Sequence, residues 1–155
     1  MYKFIIRDPN IKWGVGKVSE KVIDKVNILE ATKLAMKKAV NGLKKKLSAK
    51  TCDRRFLPTI DFLILDGKIK LDLNIPQKSI VKADEKVFSC SAASIIAKVT
   101  RDRIMERLDK KYPQYGFKKH KGYPTKYHIK MLRKHSPCRI HRQSFGPVKK
   151  ANVAN

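Results

Sequence analysis

DFLILDG, residues 61–67, is an apolar run closed by an acid and a glycine. A run this short, ending in a turn signal, reads as a buried strand over 61–65 and a turn at Asp66-Gly67. Downstream, SIVKA (79–83) is a second strand candidate, and it reaches Asp84. SAASIIAKVTRDRIMERLDKK (91–111) follows. Ile95, Ile96, Val99, Ile104 and Leu108 share one face of it, and no glycine or proline interrupts, so it reads as a helix. Upstream, residues 24–47 also read as a helix. Val26, Leu29, Val40, Leu43 and Leu47 recur near helical spacing, with lysines over much of the rest. Strands alternating with helices predict an α/β fold.

The flanks are less regular. Tyr2–Ile6 reads as the end of a helix or a short strand. IKWGVGKV (11–18) reads as a strand relaxed by Gly14 and Gly16. Arg54–Pro58 and Gly116–Pro124 read as loops. Pro124 suits the first turn of a further helix over 125–135. RIHRQSFGPVKKANVAN (139–155) is basic and reads as a loop with a frayed end. No repeat or long Gly/Ser linker divides the chain. Its 155 residues suit one domain over 1–150, with 151–155 as a tail.

Charge narrows the partners. Lysine and arginine total 37 against 13 acids, a net +24. Such an excess favours polyanions, nucleic acid first, although a merely soluble lysine-rich surface has the same composition. No acid follows Asp109, while Tyr112, Tyr115, Phe117, Tyr123, Tyr127 and Phe145 interleave with the cations there. Cations can neutralise phosphates, and rings can pack on sugars or bases; some of these rings belong to the core instead. Cys52, Cys90 and Cys138 form neither a disulfide framework nor a Cys-x-x-Cys knuckle. His120, His128, His135 and His141 lack a zinc-ligand pattern and read as structural or surface residues. MYKFIIRDPN at the start is neither a signal peptide nor a membrane span, so the expected location is the cytoplasm, with no membrane partner.

Asp66 and Asp84 are the candidates for chemistry. A carboxylate at the end of an apolar strand costs desolvation unless a cation or several donors compensate it. Open α/β sheets place ligands beyond the carboxyl ends of their strands. Two neighbouring strands that both lead into Asp could converge on one hard cation, Mg²⁺ or Mn²⁺. They could equally cap turns or the following helices.

Five segments add a resemblance. They are NILEATKLAM (27–36), LILDG (63–67), KADEKVFSCSAASIIAKVTRDR (82–103), YPQYGFKKHKGYPT (112–125) and SFGPVK (144–149). In order and spacing, from about Tyr2 to Lys150, the chain resembles ribonuclease HII, the bacterial type 2 ribonuclease H. The resemblance implies a ribonuclease H-like fold with C-terminal helices. It implies endonucleolytic cleavage of RNA in RNA–DNA hybrids and at ribonucleotides embedded in duplex DNA. The family uses four carboxylates with Mn²⁺ or Mg²⁺, and Asp66 and Asp84 match the third and fourth. The implied chemistry is two-metal hydrolysis, one ion activating water and the other stabilising the leaving 3′ oxygen, with 5′-phosphate and 3′-hydroxyl products.

The resemblance also implies substrate contacts. Tyr123 matches the family tyrosine that packs on the sugar at the RNA–DNA junction, and Lys121 lies in the same HKGYPT stretch. Ser91, Ser94 and Lys98, at the expected start of the long helix, suit a phosphate through hydroxyls and backbone N–H groups; ordinary capping would look the same. Asn27 looks like the family asparagine near the substrate strand, and a capping Asn would look the same. Asp102 also fits the family pattern, as support for the fold or site rather than as a primary ligand.

The family's first two metal carboxylates lie in an Asp-Glu-x-Gly-Arg-Gly motif on its first strand. Neither Asp8-Pro9-Asn10 nor Lys17-Val18-Ser19-Glu20 resembles it, and the family's Asp-Ser-Lys-Lys motif is missing too. The expectation is an N-terminally truncated ribonuclease HII domain, lacking its first strands, with little nuclease activity by itself. A complementing N-terminal fragment is the partner this calls for. The alternative is a noncatalytic basic remnant that binds nucleic acid. Unpaired strand edges and apolar faces should leave the isolated chain marginally stable or aggregation-prone. Limited proteolysis should therefore digest it quickly; a compact, monomeric, resistant domain with a sharp melting transition would contradict this.

Overall fold

The computed structural model describes residues 1–49 and 59–153. The loop expected over Arg54–Pro58, Cys52 and the last two residues lie outside them. Along the chain run α1 (Tyr2–Arg7), α2 (Glu20–Ser48), β1 (Leu63–Asp66), β2 (Gln77–Ile80), α3 (Ala83–Lys86), α4 (Phe88–Lys111), a 3₁₀ turn (Pro113–Tyr115), α5 (Phe117–His120), α6 (Lys126–His135) and α7 (Gly146–Val153). The chain packs as two compact units. One takes Met1–Val18 and the described part of 28–97; the other takes Ser19–Asn27 and the chain from Lys98 onward.

In the first unit, β1 and β2 pair in parallel, with Asp66 opposite Ile80. Parallel pairing sets the carboxyl ends of both strands at the same edge. The Gln77 side chain braces the connection between the strands. It accepts from the Leu71 N–H and donates to the Leu71 carbonyl, both at 2.8 Å. Leu71, Leu65 and Ala83 are buried. A second apolar cluster joins Ile5, Ala92 and Ile96 to Tyr2, Ile11, Trp13, Val15 and Ile95.

The expected strand over 11–18 is not formed. Among the described residues no strand pairs with it, and a strand exists only by pairing. Instead the segment lies flat on α2, and its glycines permit the approach. A Cβ at Gly14 would sit 2.4 Å from the Ala39 carbonyl oxygen, and one at Gly16 only 1.8 Å from that of Ala35. Ala31 is the buried residue of α2, while Leu29, expected on its apolar face, is 49% exposed.

The second unit is built on Tyr115, Phe117, Leu132, Val148 and Ala151, with Met105, Leu108, Tyr112 and Phe145 against them. Tyr115 and Phe117 stack at 5.4 Å, and the Tyr115 hydroxyl donates to the Ser136 carbonyl at 2.5 Å. These rings belong to the core and are unavailable to nucleic acid. The expected loop over Gly116–Pro124 contains α5, because Phe117 and His120 are drawn inward on one helical turn. The Thr125 hydroxyl accepts from the His128 N–H and caps α6, so Pro124 precedes the helix rather than starting it. The basic end is also more ordered than expected. Asp24 accepts hydrogen bonds from the N–H groups of Gln143 and Ser144, at 2.8 and 2.9 Å, just ahead of α7, whose Val148 and Ala151 complete the core.

Two glycine substitutions test this packing with opposite signs. Gly16→Ala should destabilise the protein by about 3 kcal/mol, the upper range for overpacking, because its neighbour is backbone. Gly42→Ala, mid-α2 with nothing near its Cβ, should stabilise by about 0.5–1 kcal/mol. Urea unfolding measures both.

Candidate functional site

Asp66 ends β1, as expected, but its partner is reached differently. β2 stops at Ile80, and a turn at Val81-Lys82 carries the chain into α3. Asp84 therefore lies in the first turn of α3, not at a strand end, because Lys82 adopts a left-handed conformation (φ 57°) that breaks the extended chain. Asp66 Oδ1 accepts from the Ala83 N–H at 2.9 Å, binding the strand end to the turn that bears Asp84. Both carboxylates are solvent-exposed.

Cys90, half-buried in the first turn of α4, registers both of them. Burial first, then the Asp66 charge and more weakly that of Asp84, push its thiol pKa up. A pair of hard oxygen donors suits Mg²⁺ or Mn²⁺. As a ligand set the pair is incomplete: among the described residues no three His, Cys, Asp or Glu side chains come together to hold a metal.

The long helix begins at Phe88, three residues before Ser91. The Val87 carbonyl takes the N–H groups of both Cys90 and Ser91 at 3.0 Å. The Ser91 N–H is thus taken up within the helix, which leaves its hydroxyl and that of Ser94 as the polar groups these two side chains offer. Ser91 is half-buried and Ser94 exposed. Lys98 is exposed but sits mid-helix, in the second unit. Asn27 marks a break in α2, at φ 71° and ψ 171°. That region is almost confined to glycine and costs about 1–3 kcal/mol for other residues, so Asn27 is neither a simple cap nor an ordinary helical residue.

Tyr123 is 59% exposed, on the turn between α5 and α6. Its backbone is held from both sides. Its N–H donates to the His120 carbonyl at 2.8 Å, and its carbonyl accepts from the Thr125 N–H at 2.9 Å. The Arg101 guanidinium lies 4.5 Å from the ring centroid and donates to the Lys121 carbonyl at 2.8 Å. Arg101 is the functional candidate that sequence reasoning passed over. It lies beside Asp102 in the quoted Thr-Arg-Asp run, but no spacing rule links it to a ring twenty-two residues away. Lys121 is engaged within the protein. Its ammonium bonds Glu106 at 2.9 Å, and that hydrogen bond and charge hold the Glu106 carboxyl below its usual range. Asp102 is half-buried within α4.

Beneath the turn, His128 Nδ1 meets the Tyr123 carbonyl at 3.0 Å. Burial lowers the pKa of His128, and it drives that of His141 to about 4. Both are buried in the second unit rather than displayed on its surface.

Helices alternating with a parallel strand pair that carries Asp66 at the carboxyl end of β1 define a mixed α/β protein. The family model described as ribonuclease HII matches residues 6–148, and the chain belongs to that family. It is 52% identical over 141 residues to the ribonuclease HII of Acetivibrio thermocellus, covering 91% of this chain and 50% of that protein. It is 45% identical over 146 residues to that of Vibrio parahaemolyticus, covering 94% and 63%. The crystal structure of ribonuclease H2 from Pyrococcus horikoshii superposes with a TM-score of 0.61 at 25% identity, over 88% of this chain and 66% of that one. The chain thus spans between half and two thirds of the length of these curated relatives.

The buried imidazoles predict a pH dependence. His141 in the unfolded chain takes up a proton near 6.5, whereas the folded protein resists until about 4. Between those values the unfolded state binds more protons, so stability is full above about 6.5 and falls as pH drops toward 4. Urea unfolding across this range should show the decline, and His141→Gln should flatten it.

Proposed function

We propose that this chain carries part of the centre of an endonuclease that cleaves RNA in RNA–DNA hybrids and at ribonucleotides embedded in duplex DNA. One observation supports the reading: the Asp66 carboxylate, at the carboxyl end of β1, accepts from the N–H of Ala83, the neighbour of Asp84 in the first turn of α3, so the two acids that match the family are linked through one hydrogen bond. Asp66 and Asp84 would hold Mg²⁺ or Mn²⁺. When bound, such ions supply Lewis-acid stabilisation and activate water for attack on the phosphodiester. The Ala83 N–H keeps the Asp66 carboxylate in one orientation, sparing its reorganisation on binding.

The remaining residues meet the polyanion. Tyr123, exposed and backed by Arg101, would pack on the sugar at an RNA–DNA junction. Lys98, Ser91 and Ser94 would meet phosphates; Lys121 would do so only by releasing Glu106, and Asn27 would approach the substrate strand. A cytoplasmic location goes with this reading. No helix among the described residues is long and apolar enough to cross a membrane.

The lack of any three-ligand cluster among the described residues favours a second element to the proposal. Two carboxylates repay the dehydration of a divalent ion poorly, so cleavage calls for the family's first-strand segment, in the same polypeptide or as a complementing fragment. Without it, these residues act as a basic nucleic-acid-binding unit.

Cleavage of a DNA duplex containing one ribonucleotide tests this. In the assembled enzyme, Asp66→Asn and Asp84→Asn should each lower cleavage by more than about 100-fold, since losing even an outer partner of a metal ligand costs 10–100-fold. Binding should persist in both. Unaffected cleavage would remove the carboxylates from the site. Tyr123→Ala should weaken preference for the ribonucleotide more than general affinity. Binding should also weaken steeply with salt, as phosphate contacts release counterions.

A further inference from the structure

The second unit buries three imidazoles side by side, and the chemistry above uses none of them. His120, His128 and His141 are 7%, 5% and 7% exposed. His120 and His128 stack at 4.1 Å, and Nε2 of His128 lies 3.3 Å from Nε2 of His141. Two facing ring nitrogens at that distance need one proton between them. The outer ends of the pair decide which ring carries it.

The Tyr123 carbonyl oxygen can only accept, and it stands 3.0 Å from His128 Nδ1. His128 therefore carries its proton on Nδ1, and its Nε2, in a neutral ring, accepts. His141 must then donate from Nε2, which makes its Nδ1 an acceptor. That atom lies 3.0 Å from the Cys138 backbone N–H, which can only donate. Both ends demand the same order. The Cys138 carbonyl, 3.2 Å from His141 Nδ1, would suit the reverse order. It already accepts the His141 backbone N–H at 2.9 Å, and the reverse order would set two acceptors against each other at Tyr123. His120 pins the other side of the turn: its Nδ1 accepts from the Gly122 N–H at 3.2 Å, and its Nε2 donates to the Tyr115 carbonyl at 2.8 Å.

We infer that His128 and His141 are positioning residues for nucleic-acid recognition. A directed chain from the Cys138 N–H through His141 and His128 to the Tyr123 carbonyl holds the turn that presents the Tyr123 ring, and it holds only while both imidazoles are neutral. The inference rests on the junction-packing reading of Tyr123. A proton on either ring would leave two donors facing each other at the His128–His141 contact, or a donor facing the Cys138 N–H.

The groups around the pair do not favour such a proton. His120 of α5 stacks on His128, and the Tyr115 ring meets His141 edge-on at 4.9 Å. The Cys138 thiol is 3.3 Å from His141 Nδ1, and Phe117 lies against both rings. On α4, Glu106 is held by Lys121, and Asp109 accepts the Lys118 N–H. On α6, Tyr127 faces His120, with the Lys119 ammonium over its ring.

The test uses the full chain. Long-range proton–nitrogen NMR of the imidazoles at neutral pH should find His128 protonated on Nδ1, the form less common in free histidine, and His141 on Nε2. Anisotropy titrations then compare a duplex with one embedded ribonucleotide against its all-DNA counterpart. His128→Leu should lower the preference for the ribonucleotide about tenfold, within the range for losing one stacking contact. His128→Asn, whose amide can replace the Nδ1 donor, should restore it, and His141→Gln, whose amide can replace the Nε2 donor, should retain it. The preference of the unaltered chain should fall as pH approaches the titration of the pair, and less so in His128→Asn.

His128 found protonated on Nε2 overturns the chain, and this measurement needs no variant to fold. Intact preference in His128→Leu, when Tyr123→Ala loses it, overturns the positioning role alone. Unchanged preference in Tyr123→Ala means the reading of Tyr123 has failed, and the inference falls with it.

Discussion

The first unit depends on the direction of one strand pairing. Because β1 and β2 run parallel, their carboxyl ends reach the same edge, and Asp66 comes level with Ile80. From there a left-handed residue at Lys82 and one helical turn bring Asp84 round. The bond from the Ala83 N–H to Asp66 then closes the arrangement. An antiparallel pair would have sent the two acids to opposite ends of the sheet. Strand direction thus precedes everything the carboxylates do, and the braces at Gln77 and Leu71 keep the connection between the strands in place.

The second unit solves a different problem, since it carries a large positive charge outside and polar rings inside. Its imidazoles are buried among Tyr115, Phe117 and Leu132, where a charged ring would lose hydration without a counter-ion. Burial keeps them neutral, and neutral rings can serve as donor and acceptor at once. The exposed Tyr123 is therefore held by backbone contacts whose partners lie in the core. Most of its lysines, among them Lys118, Lys119, Lys126 and Lys130, remain exposed and solvated, whereas Lys121 is held by Glu106.

Much of this was legible from pattern. The helix read over 91–111 is observed at Phe88–Lys111, and the apolar run at 61–65 yields β1 at Leu63–Asp66. Both carry dense apolar residues at one clear period, which is what secondary structure follows most directly. The errors fall where tertiary partners decide. IKWGVGKV has strand composition but packs its glycines on α2. The basic end has loop composition, yet Asp24 and the core hold it as a helix. Asp84 reads as a strand end because nothing local announces the turn at Lys82.

By itself the sequence determined the α/β alternation, the strongly cationic character, the ribonuclease HII family through long unbroken motifs, and the match of Asp66, Asp84 and Tyr123 to those motifs. Those properties reside in residue identity and short-range spacing. Only the tertiary structure decided that Asp66 is bonded to the turn bearing Asp84, that Arg101 lies over Tyr123, and that three histidines scattered over 120–141 form one buried cluster beneath it. Such contacts join residues far apart in sequence. They are selected by burial and by the need of each buried donor and acceptor for a partner, and no local pattern records that need.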